Sequence, residues 1–233
     1  NGKGKEYNNN GKLEFEGEYK NDERWNGKRK EYYNNGKLKF KGKYINGKRN
    51  GKGKEYNNNG KLEFEGEYKN DERWNGKRKE YYNNGKLKFK GKYINGKRNG
   101  KGKEYNNNGK LEFEGEYNNG ERWNGKIKEY YDDGKLEFEA EYKNGIIVGK
   151  GKEYYNDGKL KFEGEYKNDE RWNGKGKMYY NNGKLRFDID FINGNIKGKE
   201  YYVDGKLKFE GEYKNGKRIG KGKEYYDDDI LLF

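Results

Sequence analysis

Along the chain, apolar or small residues occupy every second position for six to eight residues, and a short polar run then intervenes. The segment Leu13-x-Phe15-x-Gly17-x-Tyr19 is typical, with Glu14, Glu16 and Glu18 between its apolar members. A period of two is the mark of a half-exposed β-strand. A second alternating segment follows, as in Gly51-Lys52-Gly53-Lys54-Glu55-Tyr56. The connections are short. Some read Asn46-Gly47, others Lys20-Asn21-Asp22-Glu23-Arg24, and Asn59-Gly60 leads from one pair of strands to the next. Asn-Gly between alternating segments predicts a type I′ hairpin turn, whose two central residues need positive φ. The sequence Asn21–Trp25 predicts a longer loop. With every connection tight, all neighbouring strands are expected to be antiparallel.

The pattern is periodic on a larger scale. Residues 1–49 and 50–98 are identical, and residues 99–117 repeat 1–19. Each block of 49 holds two related units, marked by Gly11, Gly36, Gly60, Gly85, Gly109, Gly134, Gly158, Gly183 and Gly205. The expected fold is all-β: an elongated, single-layer, twisted antiparallel meander of about nine tandem hairpins, continuous over 1–233. Glycine inside a strand is unfavourable unless another group comes close. Gly17, Gly51 and Gly53 are therefore expected to lie beneath aromatic rings of adjacent strands. Ala140 and Ile189 replace this glycine in two units, and the unit around Ile189 is expected to be distorted.

Composition fits a repeat and not a globular core. Charged residues are 41% of the chain and aromatic residues 17%, yet Ser, Thr, Gln, His, Cys and Pro are all absent. No hydroxyl or thiol nucleophile paired with a histidine base is possible, nor a His/Cys zinc site or a disulfide. Strand-spaced carboxylates such as Glu14 and Glu16 fall on a solvated face. Asp227-Asp228-Asp229 could hold a hard cation, but nothing gathers around it. No catalytic residue, metal site or cofactor is assigned. The longest apolar run, Ile230–Phe233, is far too short to cross a membrane as a helix. A soluble, cytoplasmic or peripheral membrane protein is expected before an integral one.

Net charge is +14. Residues 1–49 carry 14 basic and 7 acidic groups, residues 50–98 the same, and residues 99–233 carry 27 of each. The array thus has a basic part, 1–98, and a charge-neutral part, 99–233. Within the basic part, Lys37, Lys39, Lys41 and Lys43 recur as Lys86, Lys88, Lys90 and Lys92, where other units place glutamates. Lys28, Arg29, Lys30, Lys52 and Lys54 flank the first set. These lysines either form a solvated face that deters edge-to-edge pairing or contact an anionic partner, a membrane surface or an acidic protein. Trp25, Trp74, Trp123 and Trp172 recur every 49 residues after the alternate turns, as staples of the longer loop or as an aromatic stripe. Nucleic acid is disfavoured, because the aromatics sit at packing positions.

The segment Phe209-Glu210-Gly211-Glu212-Tyr213, then Asn215-Gly216, then Gly220-Lys221-Gly222-Lys223-Glu224-Tyr225, resembles the MORN repeat; residues 40–56 and 89–105 fit equally well. The Gly-Lys-Leu linkers are similar to the variant found in bacterial antitoxin-like proteins, low-GC microbes and viruses. Alternate units depart from the pattern, with Asn21–Trp25 at the turn and Arg29 at the second glycine. The resemblance implies stacked hairpins that act as a scaffold or attachment module, with some members associated with anionic phospholipids and others dimerising or building extended assemblies. It implies no catalytic role. The expected functions are a non-enzymatic scaffold for protein interaction or assembly, a lysine-based peripheral membrane module, or an antitoxin-like or effector-binding module. Because the chain opens and closes within units, it is expected to be a segment of a longer protein, or to pair with other copies end to end through its open edges.

Overall fold

The computed structural model describes residues 1–214 and 216–226, and the backbone alone of 231–232. Among them there are strands and turns and no helix. Contacts divide the chain into two compact units, Asn1–Arg122 and Trp123–Phe233. The first holds β1 (Gly2–Tyr7), β2 (Leu13–Lys20), β3 (Glu23–Tyr32), β4 (Leu38–Ile45), β5 (Lys48–Tyr56), β6 (Leu62–Lys69), β7 (Glu72–Tyr81), β8 (Leu87–Ile94), β9 (Lys97–Tyr105) and β10 (Leu111–Asn118). Each pairs antiparallel with the next, from β1–β2 to β9–β10.

The second holds most of β11 (Glu121–Tyr130), then β12 (Leu136–Lys143), β13 (Ile146–Tyr154), β14 (Leu160–Lys167), β15 (Glu170–Tyr179), β16 (Leu185–Ile192), β17 (Asn195–Tyr201), β18 (Leu207–Lys214), β19 (Lys217–Tyr225) and β20 (Leu231–Leu232). The same consecutive antiparallel pairing runs through it. Each unit is therefore a meander. The unit around Ile189 differs at one pairing: β16 and β17 match residue for residue, without the bulge found in its counterparts.

Two kinds of turn alternate, and both differ in part from the sequence expectation. Asn46 and Gly47 have φ of 53° and 72°, as a type I′ turn requires. Asn21 and Asp22 have φ of 51° and 62°, so the expected longer loop is instead the same two-residue turn, with Asp in the left-handed region. The Asn59-Gly60 connection is not type I′. Only Gly60 has positive φ, 84°; Gly60 N donates to Asn57 O at 2.8 Å and Asn57 N to Lys61 O at 2.9 Å. This is a type I turn closed by a glycine bulge, and the register slips by one residue beside it, between Glu55 and Tyr56. The Asn57 side-chain oxygen also accepts from Asn59 N and Lys61 N, which explains why asparagine fills these loops.

A single sheet must hide its aromatic face, and it does so with its own side chains. Phe15, Phe40, Phe64, Phe89, Phe113 and Phe162 are wholly buried. Phe40 lies flat over its strand's Gly42 and over Gly53 of β5; a Cβ on those glycines would stand 2.5 Å and 2.9 Å from the ring. Tyr44 and Tyr68 meet it edge to face, with centroids 6.0 Å and 5.1 Å away. The Arg49 guanidinium covers the top, 4.2 Å from the ring centroid. Burying such a ring contributes about 1.5–3 kcal/mol, and the stacked cation about 0.5–2 more. At Gly17 the covering ring belongs to Phe15 of the same strand, not to a neighbouring one, and a Cβ there would also meet Asn26 O at 2.1 Å. Gly51 is under no ring; it is needed for its φ of 77° at the bulge between β4 and β5.

The arginine lid is held by a set of residues that alternation does not reveal. Seven of the nine units carry Glu, Tyr thirteen residues later and Arg eighteen residues later, as in Glu55, Tyr68 and Arg73. Tyr68 Oη donates to Glu55 Oε2 at 2.8 Å, and Arg73 Nε donates to the same oxygen at 2.9 Å. Arg49 binds Glu31 at 2.6 Å and reaches Glu55 at 3.8 Å, so the sets join along the face. One unit replaces Arg with Ile147, and another replaces all three residues, as Met178, Phe191 and Ile196.

The triads generate two predictions. Breaking a buried pair leaves an unmatched charge, whereas replacing the whole set with apolar residues is near neutral. Glu55→Met alone is expected to lower stability by about 2–4 kcal/mol in urea unfolding, and the triple change Glu55→Met, Tyr68→Phe, Arg73→Ile by about 1 kcal/mol or less. A pH titration of stability supplies the second. Burial works against the charged form of Glu31, Glu55, Glu80 and Glu153, but the arginine and tyrosine hydrogen bonds outweigh it and hold these carboxyls below the usual range. A lowered carboxyl stabilises the fold above the ordinary glutamate value and loses that contribution as pH falls through the lowered one. Burial, with the adjacent glutamate, pushes Tyr68 and Tyr166 up, which adds stability that is lost as pH rises above the ordinary tyrosine range. The expected thermal-melt profile is a plateau through neutral pH with losses on both flanks, and a flat acid flank would refute it.

Candidate functional site: the lysine-lined groove

On the face opposite the rings, each strand's intervening residues are charged, and the register decides which charges meet. Across β1 and β2, Lys5 binds Glu16 at 3.1 Å; across β5 and β6, Lys54 binds Glu65 at 2.6 Å; across β9 and β10, Lys103 binds Glu114 at 2.5 Å. These are cross-strand pairs of opposite charge, which stabilise the sheet. Within β3, β4 and β5 the pairing is like with like. Lys28 stands opposite Lys43, Lys30 opposite Lys41, and Lys41 opposite Lys54. The identical block repeats this as Lys77–Lys92, Lys79–Lys90 and Lys90–Lys103. Like charges directly opposite are unfavourable by roughly 0.2–1 kcal/mol per pair. Among the described residues, Lys28, Lys30, Lys41, Lys43 and Lys52 form no ion pair, and Lys28, Lys30, Lys41, Lys43 and Lys52 are exposed.

These side chains line an open groove of about 1300 Å³ running from β2 to β6. Its basic members include Lys28, Lys30, Lys41, Lys43, Lys52 and Lys54, and its acidic ones are Glu14, Glu16, Glu65 and Glu67. The second unit has a corresponding groove of about 410 Å³ with a balanced lining: Lys126, Lys128, Lys150 and Lys152 against Glu139, Glu141, Glu163 and Glu165. The two grooves share a backbone pattern and differ in charge.

The remaining lysines singled out from the sequence lie elsewhere. Lys37 and Lys39 sit at the loop end of β4, beyond a register slip between Glu31 and Tyr32 that alternation does not show. Lys37 Nζ lies 3.5 Å from Asn59 O, and Lys39 Nζ lies 5.8 Å from the Tyr33 ring centroid. Lys86 and Lys88 repeat this arrangement against Asn108 O and the Tyr82 ring. Arg29 points to the aromatic face, where its guanidinium stacks over Tyr44 at 5.1 Å. Lys41, Lys43, Lys52 and Lys54 are thus brought together with Lys28 and Lys30, and Lys90 and Lys92 with Lys77, Lys79, Lys101 and Lys103.

All four tryptophans stand beside the turns, and Trp25, Trp74 and Trp172 stand at bulges. Trp25 is the extra residue between the pairs Glu18–Asn26 and Tyr19–Arg24. Its carbonyl accepts from Gly47 N at 2.9 Å; those of Trp74, Trp123 and Trp172 accept likewise from Gly96, Gly145 and Gly194. All four rings are half-buried. Lys20, Lys69 and Lys167 stack over Trp25, Trp74 and Trp172 at 4.7, 4.6 and 4.2 Å. No group of three or more potential metal ligands occurs among the described residues. Asp227–Asp229 lies outside them. Among the same residues no helix is long and apolar enough to cross a membrane.

The register makes the lysine field a site of stored repulsion. Lys41→Glu places a carboxylate between Lys30 and Lys54. It is expected to raise stability by about 0.5–1 kcal/mol at low ionic strength, and the gain should vanish at high salt. Urea unfolding at the two salt concentrations checks this.

Comparison with known proteins agrees with this architecture. No curated protein matches the chain. Among solved structures, those titled TcdB2-TccC3-Cdc42 and TcdB2-TccC3 without hypervariable C-terminal region are each 11% identical, over 96% and 98% of this chain, with TM-scores of 0.28 and 0.26. The chain spans 12% and 17% of their lengths. A virginiamycin B lyase from Staphylococcus aureus is 14% identical over 87% of this chain and 82% of its own, with a TM-score of 0.15. Likenesses this slight carry no structural argument. The family comparison is of a different order: the MORN repeat variant matches residues 1–21, 25–46, 49–70, 74–95, 98–119, 123–144, 147–168, 172–193 and 195–215, and the MORN repeat matches 209–229. With matches over nearly its whole length, the chain belongs to the MORN repeat family.

Proposed function

We propose that the chain is a non-catalytic repeat scaffold that holds an anionic partner against the lysine-lined face of its first unit. The observation that carries this reading is the in-register lysine field. The same backbone, with glutamates at two of the six equivalent positions, Glu139 and Glu141, makes a neutral groove in the second unit. The fold therefore has no need of five lysines without an ion pair, and their repulsion costs stability. A partner's negative charge would offset that cost. The aromatic face supports the reading from the other side. Its rings are already covered by arginine lids, which leaves the charged face as the one to be occupied.

A panel of anionic probes tests the proposal: oligoglutamate, vesicles of phosphatidylcholine containing phosphatidylserine, and oligothymidylate. At low salt the wild-type chain is expected to bind at least one of them, with affinity falling as salt rises. Combining Lys41→Glu, Lys43→Glu, Lys90→Glu and Lys92→Glu should weaken that binding by about tenfold or more. If no probe binds, or the variant binds as well as the wild type, the proposal is wrong.

A further inference from the structure

The lysine field has dimensions that select among anions. Along each strand its lysines are two residues apart, as Lys41 and Lys43 are, or about 6.7 Å. Between strands they repeat at about 4.8 Å. An extended polypeptide with carboxylates at alternate positions presents them on one side at the same spacing of about 6.7 Å. The field is also bounded. Glu16 stands opposite Lys28 on one side, and Glu65 and Glu67 stand opposite Lys54 and Lys52 on the other. A second field of identical sequence follows over β7–β9, between Glu65 opposite Lys77 and Glu114 opposite Lys103.

We propose that each of these two fields binds one short, extended, acidic polypeptide segment, with acidic side chains two residues apart facing lysines such as Lys41 and Lys43. The inference rests on the anionic-partner reading above and names the partner's class. Three features favour a polypeptide over the other polyanions. The lysines line a groove, into which an extended segment fits and a flat headgroup plane does not. Membrane association through basic residues is strengthened by apolar side chains that insert beside them, and the large hydrophobic side chain exposed in the described part of the first unit is Tyr7, on β1 and outside both fields. Single-stranded nucleic acid is held by stacking bases on open aromatic rings, whereas the phenylalanines here are buried on the opposite face. The flanking glutamates also set a limit, since they repel an acidic tract that runs on past the three strands.

The experiment titrates the full chain with a fluorescein-labelled peptide of alternating Glu and Gly, at low salt, by anisotropy and calorimetry. Two peptides per chain are expected. Lys41→Glu with Lys43→Glu should reduce this to one, and adding Lys90→Glu with Lys92→Glu should abolish binding. Lys150→Glu with Lys152→Glu, in the neutral groove, should change nothing. The corresponding Lys→Gln variants keep the test valid if a reversal impairs folding, which circular dichroism reports. The inference is overturned if the peptide binds the four-site variant as it binds the wild type. It is also overturned if phosphatidylserine vesicles or oligothymidylate bind more tightly through the same lysines; the anionic-partner reading would then stand and the polypeptide assignment would fall. If light scattering shows that the wild type self-associates without peptide and the four-site variant does not, the occupant is a second copy of the chain, and the inference again fails.

Discussion

The structure depends on one contact: a phenylalanine ring laid flat on a pair of cross-strand glycines and closed over by an arginine. A single-layer sheet has no opposing layer against which to bury its apolar face. Here the two glycines let the ring sink to the backbone, and tyrosine edges seal its flanks. The guanidinium is a suitable lid because it is flat, weakly hydrated and able to stack while its edge binds a carboxylate. Phe40 is completely buried in this way within a sheet one residue thick. The low aliphatic content and the abundance of glycine, tyrosine and charge all follow from this one arrangement.

The arginine must be fixed in place to serve as a lid, and the half-buried glutamate and the tyrosine hydroxyl fix it. This explains why polar residues share a face with the rings. Where Met178, Phe191 and Ile196 replace the triad, the same position is filled by hydrocarbon, and Met178 is left 42% exposed. Charge on this face is thus committed to packing. Charge on the other face is free to vary, and it does: balanced in the second unit, and in surplus over β3–β5 and β7–β9 of the first.

Much of this was legible in the chain. Alternation gave the strands, and the 49-residue identity gave the repeat. The Asn-Gly pairs placed the turns, and the clustering of the positive surplus marked the basic part. What escaped were one-residue effects. The bulges at Glu31/Tyr32 and Glu6/Tyr7 move Lys39 and Glu14 out of the rows that alternation assigns them. Asp22 adopts a left-handed conformation that its identity only weakly favours, so a turn of two residues reads as a longer loop. The Glu–Tyr–Arg triads were present at fixed offsets of thirteen and eighteen residues. Their members come from three successive strands, and no period-two reading connects them.

The sequence by itself determined the class of fold, because a period of two with a turn every eight to ten residues permits only a meander of hairpins. It also determined where the net charge lies, since charge is additive along a chain. The tertiary structure decided which charges face each other and which are absorbed. Those outcomes depend on register, and a bulge of one residue carries every side chain beyond it to the opposite face. Lys41 and Arg29 are both basic residues of the same block. Pairing across the strands leaves one in a field of unmatched lysines and stacks the other on a tyrosine.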